Sequence, residues 1–472
     1  MNISLSIARR LSTLGAALVL VVALLAVTAR LASGQDTAAA RQGTTPLTLG
    51  DAARLAARQS AVAQGGRLRA EQAEARARQS RAALLPTIEA LGADGQRTFN
   101  TATLGLDLPT GTNPVTGEPN PPLFDQQGEV LGPFRTIDLR GRASQTLFDY
   151  SAVERYRAAR SSATASGADA ASVAEQAASA AAAAYLRVLR ADAQLQARAA
   201  DSALAADLLV IARAQLQAGV GVGLDVTRAE SQVAQVQAQL IAARSERDRA
   251  QLELRRTLGV SLDAPVALAG ALDQLPVDDS VPTEGTAVER ALRTRPDLRA
   301  ADEQLRAAER QIAAIRAERL PAVGVFGDQG AIGKDYGNLK NTYTWGVQLS
   351  LPLFDGLRRE GRVQEQEAVA REVDVRRRDL RDQAAIDVRG ALLELGSARQ
   401  QVGAARERIR LAEQELAQAR ERFSTGVAGN ADVITASLAL NNSRNLLIDA
   451  LTLYQGARVS LARAEGTVTE LP

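Results

Sequence analysis

Histidine and cysteine are missing from this sequence, and Met1 is its sole methionine. The side chains that usually hold zinc, copper or haem, or that form Ser-His and Cys-His nucleophile pairs, are therefore not available. Carboxylates remain, and two of them recur in matched surroundings. The segments QAGVGVGLDVTRA (217–229) and FSTGVAGNADVITA (423–436) align at an offset of 207, with Gly219 on Gly426, Val220 on Val427, Asp225 on Asp432 and Val226 on Val433. A carboxylate there can cap the helix that follows the turn. No Gly-Lys-Ser/Thr occurs, so no phosphate-binding loop is expected. The chemistry points away from an enzyme, with no cofactor and no metal centre.

The elements that position these aspartates are themselves repeated. Leu254 falls on Leu461 and Gly259 on Gly466 at the same offset; upstream, TLFDY (146–150) matches PLFDG (352–356) at 206, and Pro86 and Pro321 each end a Leu-Pro. The domain reading is a signal peptide 1–34, a first repeat 35–260, a linker 261–284, a second repeat 285–466 and a tail 467–472. Each repeat opens with a helical stretch (48–84; 285–319) stopped by Leu-Pro. A strand pair follows (87–149; 322–355), closing on Phe-Asp. No proline interrupts 150–217 or 357–424, which predicts two helices each about 100 Å long. Returning helices are expected over 225–258 and 432–465, and a long helix could pack along a stacked pair of shorter ones. A seven-residue row (Val188, Leu195, Ser202, Leu209, Leu216, matched by Leu395, Val402, Ile409, Leu416, Phe423) predicts coiled-coil-like seams.

The strands alternate. In TIDLRGRASQTLF (136–148), Ile137, Leu139, Gly141, Ala143 and Leu147 share a face that Gln145 interrupts. In the second repeat, Tyr343, Trp345, Val347, Leu349, Leu351 and Leu353 oppose Thr344, Gly346, Gln348, Ser350 and Pro352. Such strands suit a membrane β-barrel with a wet interior, with Tyr343, Trp345, Phe148 and Phe354 as girdle candidates. A soluble amphipathic sheet alternates equally well. Four strands are too few to close a barrel, and lipid tolerates no open edge, so the membrane reading requires several chains. The Gly- and Pro-rich loop 105–134 and its shorter counterpart 328–341 would form the outer hairpin tips.

Arg9 and Arg10, the apolar run Leu14 to Val27 and the small residues Ala32-Ser33-Gly34 are laid out as a secretory signal peptide. A single N-terminal anchor is the other reading, although the run is short for a span. Removing 1–34 takes the formal charge from +2 to −1, so no nucleic-acid partner is expected. Without cysteine there is neither a disulfide nor a lipid-acylation site.

Together, LTLGDAARLA near the start, the paired Leu-Pro and Phe-Asp landmarks and the two GV-x4-DV turns resemble the outer-membrane efflux proteins, the TolC-like channels. The resemblance implies a mostly α fold with a β membrane portion: a homotrimer with four strands per chain in a twelve-stranded barrel, continued by a helical tunnel across the periplasm. It implies a passive exit duct of a tripartite efflux or type I secretion system, embedded in outer-membrane lipid and served by an inner-membrane pump and a periplasmic adaptor. Gly219, Val220, Gly426 and Val427 would be adaptor-contact tips, and Asp225, Asp432, Thr435 and Phe423 would line the periplasmic constriction. Some members carry a second carboxylate at Thr435, a latch arginine at Ala428 and a tyrosine at Phe423. The closed state here would rest more on packing. A periplasmic adaptor and a structural coiled-coil rod are the competing readings.

Overall fold

A computed structural model describes residues 46–101, 112–118, 130–277, 282–425, 427 and 430–472. The signal-peptide segment, much of loop 105–134, and Gly426 and Ala428 lie outside the described residues. The elements are α1 (Leu49–Gln59), α2 (Ala61–Ala82), β1 (Thr87–Asn100), β2 (Val130–Phe148), α3 (Tyr150–Gln217), α4 (Gly223–Leu258), α5 (Glu284–Thr294), α6 (Pro296–Ala317), β3 (Ala322–Gly333), β4 (Lys340–Ser350), α7 (Arg358–Ser424) and α8 (Asn430–Glu465).

The prolines and glycines set most of these boundaries. The long helices α3 and α7 have 68 and 67 residues. Gly259 (φ 73°) and Gly466 (φ 74°) end the returning helices α4 and α8 in the left-handed conformation that suits glycine. Each opening helical stretch, read as continuous, is in fact two helices. Ser60 ends α1 in extended backbone and caps α2 by accepting a bond from the Ala63 amide at 3.2 Å. The matching position, Arg295, is extended because Pro296 follows it and opens α6.

Six of the described helices form one layer built on the two long members. In the half nearer the strands the side-by-side order is α2-α3-α6-α7; in the far half it is α4-α3-α8-α7. The stacked pairs α2/α4 and α6/α8 thus run beside α3 and between α3 and α7, as the lengths suggest. On α7, Ala384, Val388, Ala391, Leu395, Ala398, Val402 and Ala405 are buried at alternating steps of four and three, the spacing of a coiled-coil seam. The row on α3 is looser. Val188 is buried, Leu195, Ser202 and Leu209 are half-buried, and Leu216 is exposed.

Where the halves of the molecule meet, small residues let the helices close in: Ala181, Ala182 and Ala184 share a buried cluster with the fully buried Tyr185. Its hydroxyl donates toward the carbonyls of Leu47 (3.0 Å) and Ala269 (2.9 Å), tying two connecting segments to α3. Nearby, Arg295 pairs with Asp297 (2.7 Å) and Asp387 (2.9 Å). Burial pushes the Asp387 carboxyl up, but bonds from Arg295 and Gln383 and the Arg463 charge outweigh this and hold it below the usual range. A carboxylate depressed by folding stabilises the fold above its unfolded pKa of about 3.9 and loses that contribution as pH falls through the folded value. Asp387→Asn is therefore expected to flatten the acid limb below about pH 3.9 of a helicity-versus-pH titration; an unchanged limb would count against the pairing.

The four strands make one antiparallel meander in the order β1-β2-β3-β4. The two hairpins are joined by a β2–β3 ladder that runs from Ile137↔Gly333 to Phe148↔Val323. β4 stops at Ser350, short of the alternation in the sequence, because Pro352 has no N–H to give to a ladder.

Candidate functional site: two hairpin turns and an apolar sheet face

The first turn is built by glycine. After α3, Gly219 takes φ 76°, and the amides of Val220 (3.1 Å) and Gly221 (3.0 Å) both donate to the Gln215 carbonyl. This is a Schellman-type ending that satisfies an orphan carbonyl. A Cβ on Gly221 would sit 3.0 Å from the Gln215 backbone, so the position is restricted to glycine or a shifted turn. The second repeat makes the same bond, from the Val427 amide to the Arg422 carbonyl at 3.0 Å. Val220 and Val427 stand 80% and 72% exposed at the two tips. Gly426, the fourth proposed tip residue, is among the undescribed positions.

The aspartates do not sit as caps. Val222 occupies the N-cap of α4 without a side-chain bond, and Asp225 is in the first turn, where a carboxylate favours the helix dipole. It is mostly covered and lies 3.8 Å from Arg228. Asp432 holds the corresponding first-turn place in α8 and is exposed. Thr435 is also exposed, its hydroxyl bonded back to the Ala431 carbonyl at 2.9 Å. Phe423 is 2% exposed and packs within Leu208, Leu416, Val433, Ala436 and Leu440. Its side chain fills the core of the helix layer and does not face an opening within the chain.

Asn430 joins the two tips and was not singled out from the sequence. It is fully buried, and its amide donates to the Asp225 carbonyl at 3.1 Å. Its counterpart in the first repeat is Gly223, so the duplication gave no signal for it.

At the other end, the sheet turns an apolar face outward. Tyr343, Trp345 (76% exposed), Val347 and Leu349 project from β4, beside Val323 and Val325 of β3. Phe148 and Phe354 are exposed where the chain leaves the strands. The opposite face is polar and internally paired, with Arg140 bridging Asp138 (2.6 Å) and Asp328 (3.2 Å). Lys334 and Lys340, the only lysines in the chain, flank the β3–β4 turn. They too escaped the sequence reading, which weighed charge as a total. Among the described residues, no helix is long and apolar enough to cross a membrane and no group of side chains is arranged to hold a metal.

A family profile, "Outer membrane efflux protein", matches residues 52–260 and 287–467, well over half of the chain. No curated protein matches. Among solved structures, a membrane protein from Pseudomonas aeruginosa aligns with TM-score 0.72 at 22% identity, covering 88% of this chain and 92% of that one. The open state of the MtrE outer membrane channel of Neisseria gonorrhoeae aligns with TM-score 0.71 at 18% identity, covering 89% and 88%. The outer membrane protein VceC of Vibrio cholerae gives 0.69 at 18%, covering 89% and 96%. These likenesses establish the fold; the profile establishes the family. The chain belongs to the outer membrane efflux protein family.

Proposed function

We propose that three copies of this chain form the passive exit duct of a tripartite efflux or type I secretion system. The observation that carries this reading is the sheet with its two unpaired edges, β1 and β4. In lipid each unpaired backbone group costs several kcal/mol, so the edges must find partners. Joining β4 of one copy to β1 of the next closes the sheet, and three copies give twelve strands, an even number typical of such barrels. The same rotation brings α7 of one copy against α4 of the next. Exposed aliphatic residues lie on both, Leu393 and Leu411 on α7 and Ile241 on α4.

At the far end, Val220, Val222, Leu224 and Val427 present a small apolar surface at the two turns. A helical hairpin of a periplasmic adaptor would seat there and connect the duct to an inner-membrane pump that supplies the energy. Asp432 and Asp225 would set the charge of the constriction just inside. The test separates docking from conduction. The double variant Val220→Asp/Val427→Asp is expected to lose export in cells lacking the native channel. Its single-channel conductance in planar bilayers should match that of the parent. A parent protein that conducts nothing would sink the duct, and a double variant that still exports would sink the docking surface.

A further inference from the structure

The end of α8 makes a joint with α5 that the first repeat builds differently. Glu465, the last residue of α8, has its side chain 6% exposed, and its Oε2 accepts from Arg290 Nη1 of α5 at 3.1 Å. Its other oxygen, Oε1, is buried and has no hydrogen-bond partner among the described residues. The residue is fixed from both sides: its carbonyl accepts from the Thr294 hydroxyl, and Gly466 turns the chain away at φ 74°. Glu465 and Arg290 line a cavity of about 310 Å³, walled by Leu395 of α7, Tyr454 and Leu461 of α8 and Leu471 beyond it. Two further charges reach the cavity and are opposite in sign. Arg458 is already engaged, donating to Gln455 Oε1 at 3.0 Å, and Glu470 is exposed.

The duplication supplies an internal comparison. At the offset of 207 Glu465 falls on Leu258, and at the offset that aligns Pro86 with Pro321 Arg290 falls on Leu55. Leu258 is fully buried and Leu55 packs against the same core. Two leucines therefore close the joint in the first repeat. Replacing a buried ion pair by apolar residues is often neutral or stabilising, and a buried acceptor left unbonded costs free energy. The second repeat keeps both disadvantages at the wall of a cavity, where packing does not require them. An acceptor without a partner beside a concave, largely apolar space points to a ligand that completes it.

We infer that this cavity binds a small zwitterion of the α-amino acid type with an apolar side chain. Its ammonium would donate to Glu465 Oε1. Its carboxylate would meet Arg290, which uses Nη1 for Glu465 and keeps 55% of its side chain exposed. A carboxylate oxygen and a guanidinium held side by side match the two charges that an α-amino acid carries on neighbouring groups. Leu395, Leu461 and Leu471 would take the side chain. A simple cation would meet Arg290 and Arg458 in the same cavity, and a simple anion would meet Glu465 and Glu470. The zwitterion satisfies both signs. The site is separate from the turns and the sheet, and needs neither a trimer nor a duct.

Leucine tests this against two derivatives that keep its side chain and lose one charge. Leucinamide lacks the carboxylate, and N-acetylleucine lacks the ammonium. Saturation-transfer NMR titration of the detergent-solubilised full chain is expected to show leucine binding, with each derivative about tenfold weaker or worse, the loss of one charge-assisted bond. Glu465→Gln should weaken leucine by a similar factor. Glu465→Leu/Arg290→Leu copies the joint of the first repeat. This double variant is expected to unfold at no lower temperature than the parent and to bind no leucine, so the test survives if the glutamine variant fails to fold. Leucine signals left unchanged by the parent, equal binding of either derivative, or leucine binding that persists in the double variant would each overturn the inference.

Discussion

Val347→Arg is expected to empty the outer-membrane fraction of assembled protein. Val347 lies near the middle of β4, opposite Val325 and exposed on the apolar face with Tyr343, Trp345 and Leu349. An arginine facing lipid near the bilayer midplane costs about 2–4 kcal/mol, and a closed trimer would incur that cost three times. Gln348→Arg supplies the comparison, since the neighbouring residue points to the polar face that already carries Arg140 and Arg142. It is expected to assemble near the parent level. The measurement is the yield of heat-dissociable, detergent-resistant oligomer in outer-membrane fractions. Equal yields from the two variants would show that the alternation does not separate lipid from water.

The second large effect is expected at Asp201, the centre of a side-chain network where α3 meets α8. Its carboxylate accepts from Asn441 (2.6 Å), Arg444 (3.2 Å) and Arg198 (3.4 Å). Asp201→Ala leaves the Arg198 and Arg444 guanidinium groups beside each other in the α3–α8 boundary without the carboxylate between them. Removing one member of a buried ionic set costs about 3–5 kcal/mol. The low end, about 3 kcal/mol, applies because Arg198 and Arg444 retain 20% and 28% of their side-chain exposure. Burial raises the Asp201 carboxyl against the lowering pull of Arg444 and Arg198, so part of the pairing offsets desolvation. Denaturant unfolding of the detergent-solubilised protein measures the loss. Asp207→Ala, at an exposed site on the same helix, is the control; equal midpoints for the two would deny the network its structural role.

The legible parts of this fold are those set by local chemistry. Proline stops a helix wherever it falls, so the Leu-Pro landmarks and the long proline-free stretches could be read as helix ends and helix lengths. Glycine turns are similarly local, and alternation shows which strand face is apolar before any partner is known. The break at Ser60 was not legible because serine is common inside helices as well as at their caps; only its extended backbone distinguishes it. The Asp201 network was not legible either. Asp201 and Asn441 are 240 residues apart, and nothing near either one announces the other. At the turns, repetition pairs Asp225 with Asp432, yet their settings differ. Asp225 is shielded beside Arg228, while Asp432 is open to solvent. Phe423 was read as lining an entrance and instead fills the seam, since a phenylalanine at a heptad position obeys packing first.

The two lysines at the β3–β4 turn make the molecule's topology readable by a protease. A lysine-specific endoprotease can cut this chain only after Lys334 and Lys340, releasing a six-residue piece and dividing the polypeptide within the second repeat. If that turn faces the exterior, intact cells exposed to the enzyme should yield two long fragments, while arginine-rich helices in the periplasm stay whole. Ladder bonds between β3 and β4, and between β4 and β1 of the next copy in the closed sheet, would keep the fragments together until they are heated. A single digestion thus reports orientation, and the same nick would open a place for an inserted tag.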